Sequence, residues 1–190
     1  RDREVMEQTM MAAETGHLCL ATIHATNSYQ TIERIINLFP DDMHDQIRLS
    51  LSMNLKAILS QRLVPCLQGG MTLALELMLN QGFIKELIYE GKIGKIREVI
   101  QQNSNSGMQT FDQSLMNLVK QELVTYDEAL KHVSNPDDFA LRFRGIGSTS
   151  DGTWDDFEGD EDDIVPIRGR DSVVALVLLR SDCNFLKDLF

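Results

Sequence analysis

A histidine and two threonines lie close together in the segment Thr22-Ile23-His24-Ala25-Thr26. Imidazole and hydroxyl groups can form hydrogen bonds or move a proton, so this segment is a candidate for ligand chemistry. Residues 18–23 are almost wholly apolar, which is typical of a strand covered on both faces in a parallel sheet. His24 and Thr26 would then follow the carboxyl end of that strand, where open α/β sheets bind ligands.

Residue type alone leaves the role of His24 open. A histidine at the end of a strand is often a structural residue, whereas its position at a sheet edge and its threonine neighbours favour a functional one. His17 lies seven residues earlier, and on an extended strand the two imidazoles project to opposite faces. They are not expected to share an ion, so we predict no metal site.

Other catalytic signatures are absent from the sequence. There is no G-x-S-x-G elbow, and Cys19, Cys66 and Cys183 form neither a CxxC pair nor a cluster with histidine. The segment 91–95 (GKIGK) imitates part of a phosphate-binding loop, but it lies between two amphipathic helical patterns and no Ser or Thr follows its lysine. We interpret it as a turn between helices.

Hydrophobic periodicity predicts the elements that position the histidine. A helix over residues 2–15 stops at Gly16, and a strand follows over residues 17–24. Two amphipathic helices come next, with apolar residues at Ile32, Ile35, Ile36 and Phe39 and then at Met43, Ile47, Leu51 and Leu55. Residues 58–64 and the alternating segment 73–79 predict an antiparallel hairpin around the turn at 68–70.

Beyond Asn80 the pattern is helical. Apolar stripes cover residues 83–88 and 93–100, and helix starts are indicated by Thr110 with Gln113, by Thr125 with Glu128 and by Asn135-Pro136. We therefore predict an α/β fold with domain boundaries at residues 1–80 and 81–144. An acidic, disordered linker is predicted over 145–163, followed by a tail over 164–190 to which the sequence assigns no role.

Charge and composition restrict the class of protein. The net charge is −11, and eight acids with no base lie between Asp151 and Asp163. No cluster of Lys and Arg is present, which argues against nucleic acid as a partner. The apolar run 173–179 is too short to span a bilayer, so no transmembrane segment is predicted. Three widely separated cysteines fit a reducing cytoplasm.

A series of motifs in order resembles one family. Arg1-Asp2, the helix ending in Ala12-Ala13-Glu14-Thr15-Gly16-His17 and the strand ending at His24 resemble the region from the end of Walker B through the His box of secretion-type RecA-like ATPases. Further matches are Thr31 to Ile36 with Phe39-Pro40, Leu59 to Leu63, and Ser106 to Asp112. Over residues 1–145 the chain resembles the type IV pilus retraction ATPases of the PilT/PilU family.

Two features indicate the branch of the family. Relatives in pilus assembly carry a tetracysteine zinc insertion after the position of Ser60 to Val64, whereas here Cys66 stands alone. The helix 83–90 occupies the place of the A-I-R-N-L-I-R-E retraction motif, which Ile84, Leu87, Ile88 and Glu90 match. Phe83, Lys85, Glu86 and Tyr89 depart from it, which favours a PilU-like member.

The resemblance implies a hexameric motor that hydrolyses ATP with Mg²⁺ and drives pilus retraction at the cytoplasmic face of the inner membrane. It implies that His24 senses the γ-phosphate, that Arg1 and Asp2 end Walker B, and that Thr22 and Thr26 border the nucleotide. The platform protein of the pilus and a PilT-type ATPase are the implied partners. Walker A and the Walker B glutamate are missing from this sequence, so the chain alone is expected to be inactive and to bind no nucleotide tightly.

Two other interpretations remain open. The chain could be a non-enzymatic interaction module whose helices 83–143 and acidic segment dock on partner ATPases or on the inner-membrane platform. It could also be a truncated product whose exposed sheet edge favours aggregation.

Overall fold

The structure is a computed structural model that describes residues 3–145 and the backbone of residues 174–179. The described helices are α1 (Arg3–Glu14), α2 (Ser28–Ile36), α3 (His44–Asn54), α4 (Phe83–Tyr89), α5 (Ile96–Gln102), α6 (Phe111–Lys120), α7 (Tyr126–His132) and α8 (Pro136–Phe143). The strands are β1 (Cys19–Ile23), β2 (Leu55–Pro65), β3 (Met71–Leu79) and β4 (Val174–Leu179). None of the helices within 3–145 is both long and apolar enough to cross a membrane.

The four strands form one sheet in the order β1-β4-β2-β3, and every ladder between them is antiparallel. The prediction of a parallel strand covered on both faces is therefore wrong for β1. Its Cys19, Ala21 and Ile23 pack against the core, while the other face leaves Leu20 61% exposed. A continuous apolar run does not reveal how many faces are covered or which way the neighbouring strand runs, so periodicity could not decide either point.

The hairpin of β2 and β3 is confirmed. Its register pairs Ile58 with Met78 and Ser60 with Glu76, and the amide of Cys66 donates to the carbonyl oxygen of Gly70 at 3.1 Å to close the turn. Leucine side chains do not mark the more buried face of β3. Thr72, Ala74, Glu76 and Met78 alternate on the buried face, and Leu73, Leu75 and Leu79 are only half-buried.

Two hydrophobic clusters hold the elements together. The first joins α1 to α5 with β2 and β3, and its largest fully buried members include Ile32, Ile35, Leu51, Ile58, Met78, Leu87 and Ile96. The second joins Val64 and Ala74 of the hairpin to α6, α7 and α8 through Phe111, Leu115, Ala129 and Phe139. Both clusters draw on residues before and after Asn80, and the division into domains at that position stays a prediction.

Helix starts follow the predicted capping residues. Thr110 and Gln113 form the complete capping box of α6, the Thr125 hydroxyl accepts the amide of Glu128, and the Asn135 side chain accepts the amide of Asp138 ahead of Pro136. The GKIGK segment is a turn between α4 and α5, as interpreted, with Ile93–Lys95 in a single 3₁₀ turn. Local side-chain chemistry thus determines where the C-terminal helices begin.

Candidate functional site

Residues 24–28, here called the His24 turn, connect the carboxyl end of β1 to α2. The Asn27 side chain caps α2 by accepting the amide of Gln30 at 3.0 Å, and its carbonyl accepts the hydroxyl of Thr31 at 2.9 Å. The Arg34 guanidinium donates to the carbonyl oxygen of His24. The Thr26 hydroxyl donates to the side-chain oxygen of Gln30. The turn is therefore tied at several points to the helix that follows it.

The turn and the end of β1 before it present polar side chains to solvent. Thr22, His24 and Thr26 are exposed, whereas Ala25 and Ser28 between and after them are buried. The structure thus brings the three sequence-predicted residues to one end of β1, where a ligand can reach them. The predicted roles of Arg1 and Asp2 fall outside the described residues.

Two charged residues of the β2–β3 hairpin hold the His24 turn from its inner side. The Arg62 guanidinium of β2 donates to the carbonyl oxygen of Thr26 at 3.2 Å. The Glu76 carboxylate of β3 accepts the backbone amide of Ser28 at 2.7 Å. We refer to these two residues as the Arg62–Glu76 pair. Since their strands are neighbours, any shift of the hairpin moves both contacts together.

Burial dominates the electrostatics of this pair. Glu76 is 5% exposed, and loss of hydration raises its pKa above the ordinary value even though the amide of Ser28 and the charges of Arg62 and Arg97 lower it. Loss of hydration likewise lowers the pKa of Arg62, against the attraction of Glu76 and Asp112. Keeping both side chains charged inside the fold therefore costs free energy of folding.

An ion pair lies close to Arg62 and Glu76. Arg97 of α5 donates to Asp112 of α6 at 2.7 Å, and the other carboxylate oxygen of Asp112 accepts the amide of Ser134 at 2.9 Å. Asp112 is buried, while Arg97 is about one-third open to solvent. This contact fixes the start of α6 to α5 and to the connection between α7 and α8.

Helix α4, which the sequence analysis matched to the retraction motif, buries most of the residues that carry that match. Ile84, Leu87 and Ile88 are fully buried in the first core cluster. Glu90 follows the helix as its exposed C-cap and pairs with Lys92 at 2.6 Å. Four side chains depart from the family pattern, and all of them are exposed: Phe83, Lys85, Glu86 and Tyr89. The matching residues therefore build the helix into the core, and the departures lie on its surface.

Sequence reasoning missed Arg62, Glu76, Arg97 and Asp112. A signal was present for the first two, because each is a charged residue within a strand that is otherwise mainly apolar. Asp112 is the second residue of α6. An acid at this position is expected simply because it interacts favourably with the positive end of the helix dipole. Only the tertiary contacts distinguish these roles.

The His24 turn fits a phosphate group on the chemistry of its donors. The His24 imidazole and the hydroxyl of Thr22 at the end of β1 are exposed and are of a kind that donates hydrogen bonds to anionic oxygens, whereas the Thr26 hydroxyl donates to Gln30. Within residues 3–145 there is no group of three or more His, Cys, Asp and Glu that could hold a metal ion. The chemistry of these donors suits an anionic ligand.

Replacing Glu76 with glutamine is expected to change the pH dependence of stability. The folded chain binds the Glu76 proton more tightly than the unfolded chain, so this contribution is complete below about pH 4.5, the ordinary Glu value, and is lost as the pH rises through the folded pKa. Glutamine still accepts the amide of Ser28 but carries no charge. Relative to the variant, the wild type should lose up to about 1.4 kcal/mol per pH unit in that window.

Urea unfolding of both proteins between pH 4 and pH 8 measures this difference. The gap in free energy of unfolding should widen in favour of Glu76→Gln as the pH increases. A gap that stays constant or narrows would contradict the assignment of Glu76 as a buried, costly carboxylate.

Comparison with known proteins assigns this α/β architecture to a class. The chain belongs to the family described as type II/IV secretion system protein, whose model matches residues 1–109. The resemblance to this family that the sequence motifs indicated is confirmed.

The relatives include pilus retraction ATPases. The chain is 44% identical over 152 residues to the type IV pilus ATPase PilU of Pseudomonas aeruginosa, which is 80% of this chain and 40% of that protein. It is 35% identical over 139 residues to the type IV pilus retractation ATPase PilT of the same organism, covering 73% of this chain and 40% of that protein. The chain thus spans about two-fifths of the length of these relatives.

A solved structure supports the fold. The crystal structure of the pilus retraction motor PilT with bound ADP superposes with a TM-score of 0.65 at 39% identity, covering 72% of this chain and 38% of that one. The α/β fold class and the similarity to the retraction ATPases are therefore established over about 72% of this chain.

Proposed function

We propose that this chain is the part of a type IV pilus retraction ATPase that carries the phosphate-contacting histidine and the helices that follow it. The observation that carries the proposal is the similarity to PilU and PilT over most of the chain. The complete motor hydrolyses ATP with Mg²⁺, assembles as a hexamer and acts on the pilus platform at the cytoplasmic face of the inner membrane. Within it, the helices 81–144 form a subdomain that moves with the nucleotide state.

In this proposal His24 donates a hydrogen bond to the γ-phosphate, and Thr22 and Thr26 border the nucleotide. Arg1 and Asp2 lie beside the catalytic acid of Walker B. ATP supplies the phosphoryl group whose loss must be detected. The residues of this chain do the detecting, because the imidazole is exposed on a turn that is anchored to β1, α2 and the hairpin. The chain alone lacks a phosphate-binding loop and is proposed to be inactive.

Replacing His24 with alanine tests the proposal in the complete natural polypeptide that contains this chain. Turnover should fall roughly 10-fold to 100-fold, since a lost donor to developing phosphate charge raises the barrier by about 1.4–2.7 kcal/mol. The affinity for a fluorescent ATP analogue should stay within about threefold. His17→Ala is the matched control, because His17 is also exposed but precedes β1. Unchanged turnover in His24→Ala would refute the sensor role.

A second candidate is an interaction module that docks on a partner ATPase. The exposure of Phe83 and Tyr89 on α4, at 54% and 58%, favours it, since large apolar side chains on one short helix can serve as contacts. Co-purification of the intact chain with a PilT hexamer tests it. Loss of binding in Phe83→Ala and Tyr89→Ala would support docking through α4, and no binding by the wild type would exclude it.

A further inference from the structure

The Arg62–Glu76 pair contacts other parts of the molecule besides the His24 turn. The register of β2 and β3 places Arg62 opposite Ala74 and Ser60 opposite Glu76, so the two charged side chains are diagonal neighbours on one face of the sheet. From this face they contact two successive parts of the turn, the carbonyl of Thr26 and the amide of Ser28. The turn is therefore held by backbone contacts that do not depend on its own side chains.

Arg62 also reaches the C-terminal helices. A second nitrogen of its guanidinium donates to the carbonyl oxygen of His132, the last residue of α7, at 2.9 Å. The guanidinium lies 4.0 Å from the centroid of the Phe111 ring at the start of α6. One side chain thus links the His24 turn, α6 and α7, and the planar fork of arginine is suited to such a multiple contact.

Glu76 has a second hydrogen-bond donor next to it. Ser60 is directly opposite Glu76 in the register and fully buried, and its hydroxyl has no hydrogen-bond partner among the described residues. Side chains of directly opposed residues in antiparallel strands approach closely enough to interact. The neighbouring strand therefore places a hydroxyl on the same face as the Glu76 carboxylate.

We infer that Arg62 and Glu76 are positioning residues that couple the His24 turn to helices α6 and α7. When a phosphate-bearing ligand displaces the turn, the carbonyl of Thr26 and the amide of Ser28 pull on the hairpin, and Arg62 passes the displacement to α6 and α7. Displacement of the turn by a phosphate-bearing ligand rests on the proposed function. The contacts of Arg62 and Glu76 with the turn and the helices do not.

Hydrogen exchange in the complete natural polypeptide tests the coupling. Adding the non-hydrolysable analogue adenylyl imidodiphosphate to the wild type should change amide exchange both in the His24 turn and in residues 126–143. In Arg62→Met the response of the turn should persist and the response of the helices should disappear. In the same variant kcat should fall about 10-fold with KM unchanged. Arg62→Lys keeps the charge but not the fork, and should restore stability without restoring the response.

Arg48→Met is the matched control, because Arg48 of α3 pairs with Asp45 inside its own helix. It should keep both responses. Circular dichroism verifies that each variant is folded. A helical response that survives in folded Arg62→Met or in Arg62→Lys would overturn the inference.

A trigger without nucleotide separates this inference from the proposed function. Asn27→Ala removes the cap of α2 and loosens the His24 turn in the chain as it stands. Exchange in residues 126–143 should increase about threefold or more in the wild-type background and should not increase in Arg62→Met. An equal increase in exchange in both backgrounds would refute the coupling. If the wild type shows no exchange response to the analogue but does show the increase caused by Asn27→Ala, only the nucleotide function is refuted.

Discussion

Replacing Leu87 with alanine is expected to lower the free energy of unfolding by about 2–5 kcal/mol. Leu87 is fully buried in α4 and packs in the first core cluster. Alanine removes its apolar contacts and leaves a cavity that the surrounding helices fill only in part. A domain of this size is stable by about 5–15 kcal/mol, so the loss is a large share of the total.

Thermal unfolding measures the change, and the midpoint should fall by roughly 5–15 °C. Tyr89→Ala in the same helix is the control, because Tyr89 is 58% exposed and its removal should change stability by less than about 0.5 kcal/mol. Similar losses in the two variants would show that α4 is not packed as described.

Replacing Asp112 with alanine should cost about 2–4 kcal/mol of stability. The substitution leaves the Arg97 guanidinium without its carboxylate and the amide of Ser134 without its acceptor, both in a partly buried place. This loss in free energy of unfolding is at the low end of the range for breaking a buried ion pair, because Arg97 keeps some contact with water. The connection between α7 and α8 should loosen together with the start of α6.

Chemical unfolding and amide exchange at Ser134 measure this effect. Glu90→Ala is the matched control, since Glu90 pairs with Lys92 at 2.6 Å, the two side chains are 37% and 56% exposed, and such exposed pairs contribute about 1 kcal/mol or less. The Asp112 variant should remain less stable than the control in 0.5 M salt, which screens the exposed pair more than the buried one. Equal losses would contradict a structural role for Asp112.

Much of the local structure could be predicted because its determinants are close in sequence. The capping residues Thr110, Thr125 and Asn135 act within three or four residues, and the alternation in β3 is visible in a short window. The exposure of His24 beyond the end of β1 also follows from local order. Such features depend on backbone geometry that neighbouring residues determine.

The sheet environment of β1 and the contacts of the Arg62–Glu76 pair could not be predicted in this way. The apolar run 173–179 identifies a segment that can be buried, but its pairing with β1 and β2 depends on strands far away in the chain. Likewise, the charges of Arg62 and Glu76 are visible in the sequence, while their contacts with Thr26 and Ser28 arise only after the hairpin meets α2. Long-range packing decides these points.

The central position of β4 has a consequence for synthesis of the protein. Among the strands that the structure describes, β1 and β2 are joined only through β4, which follows β2 by more than a hundred residues. As the chain leaves the ribosome, one edge of β1 and one edge of β2 present unpaired amides and carbonyls until β4 has been made. Contacts this distant in sequence form slowly. A chaperone that binds extended apolar segments would therefore be needed most in the interval between the synthesis of β3 and that of β4.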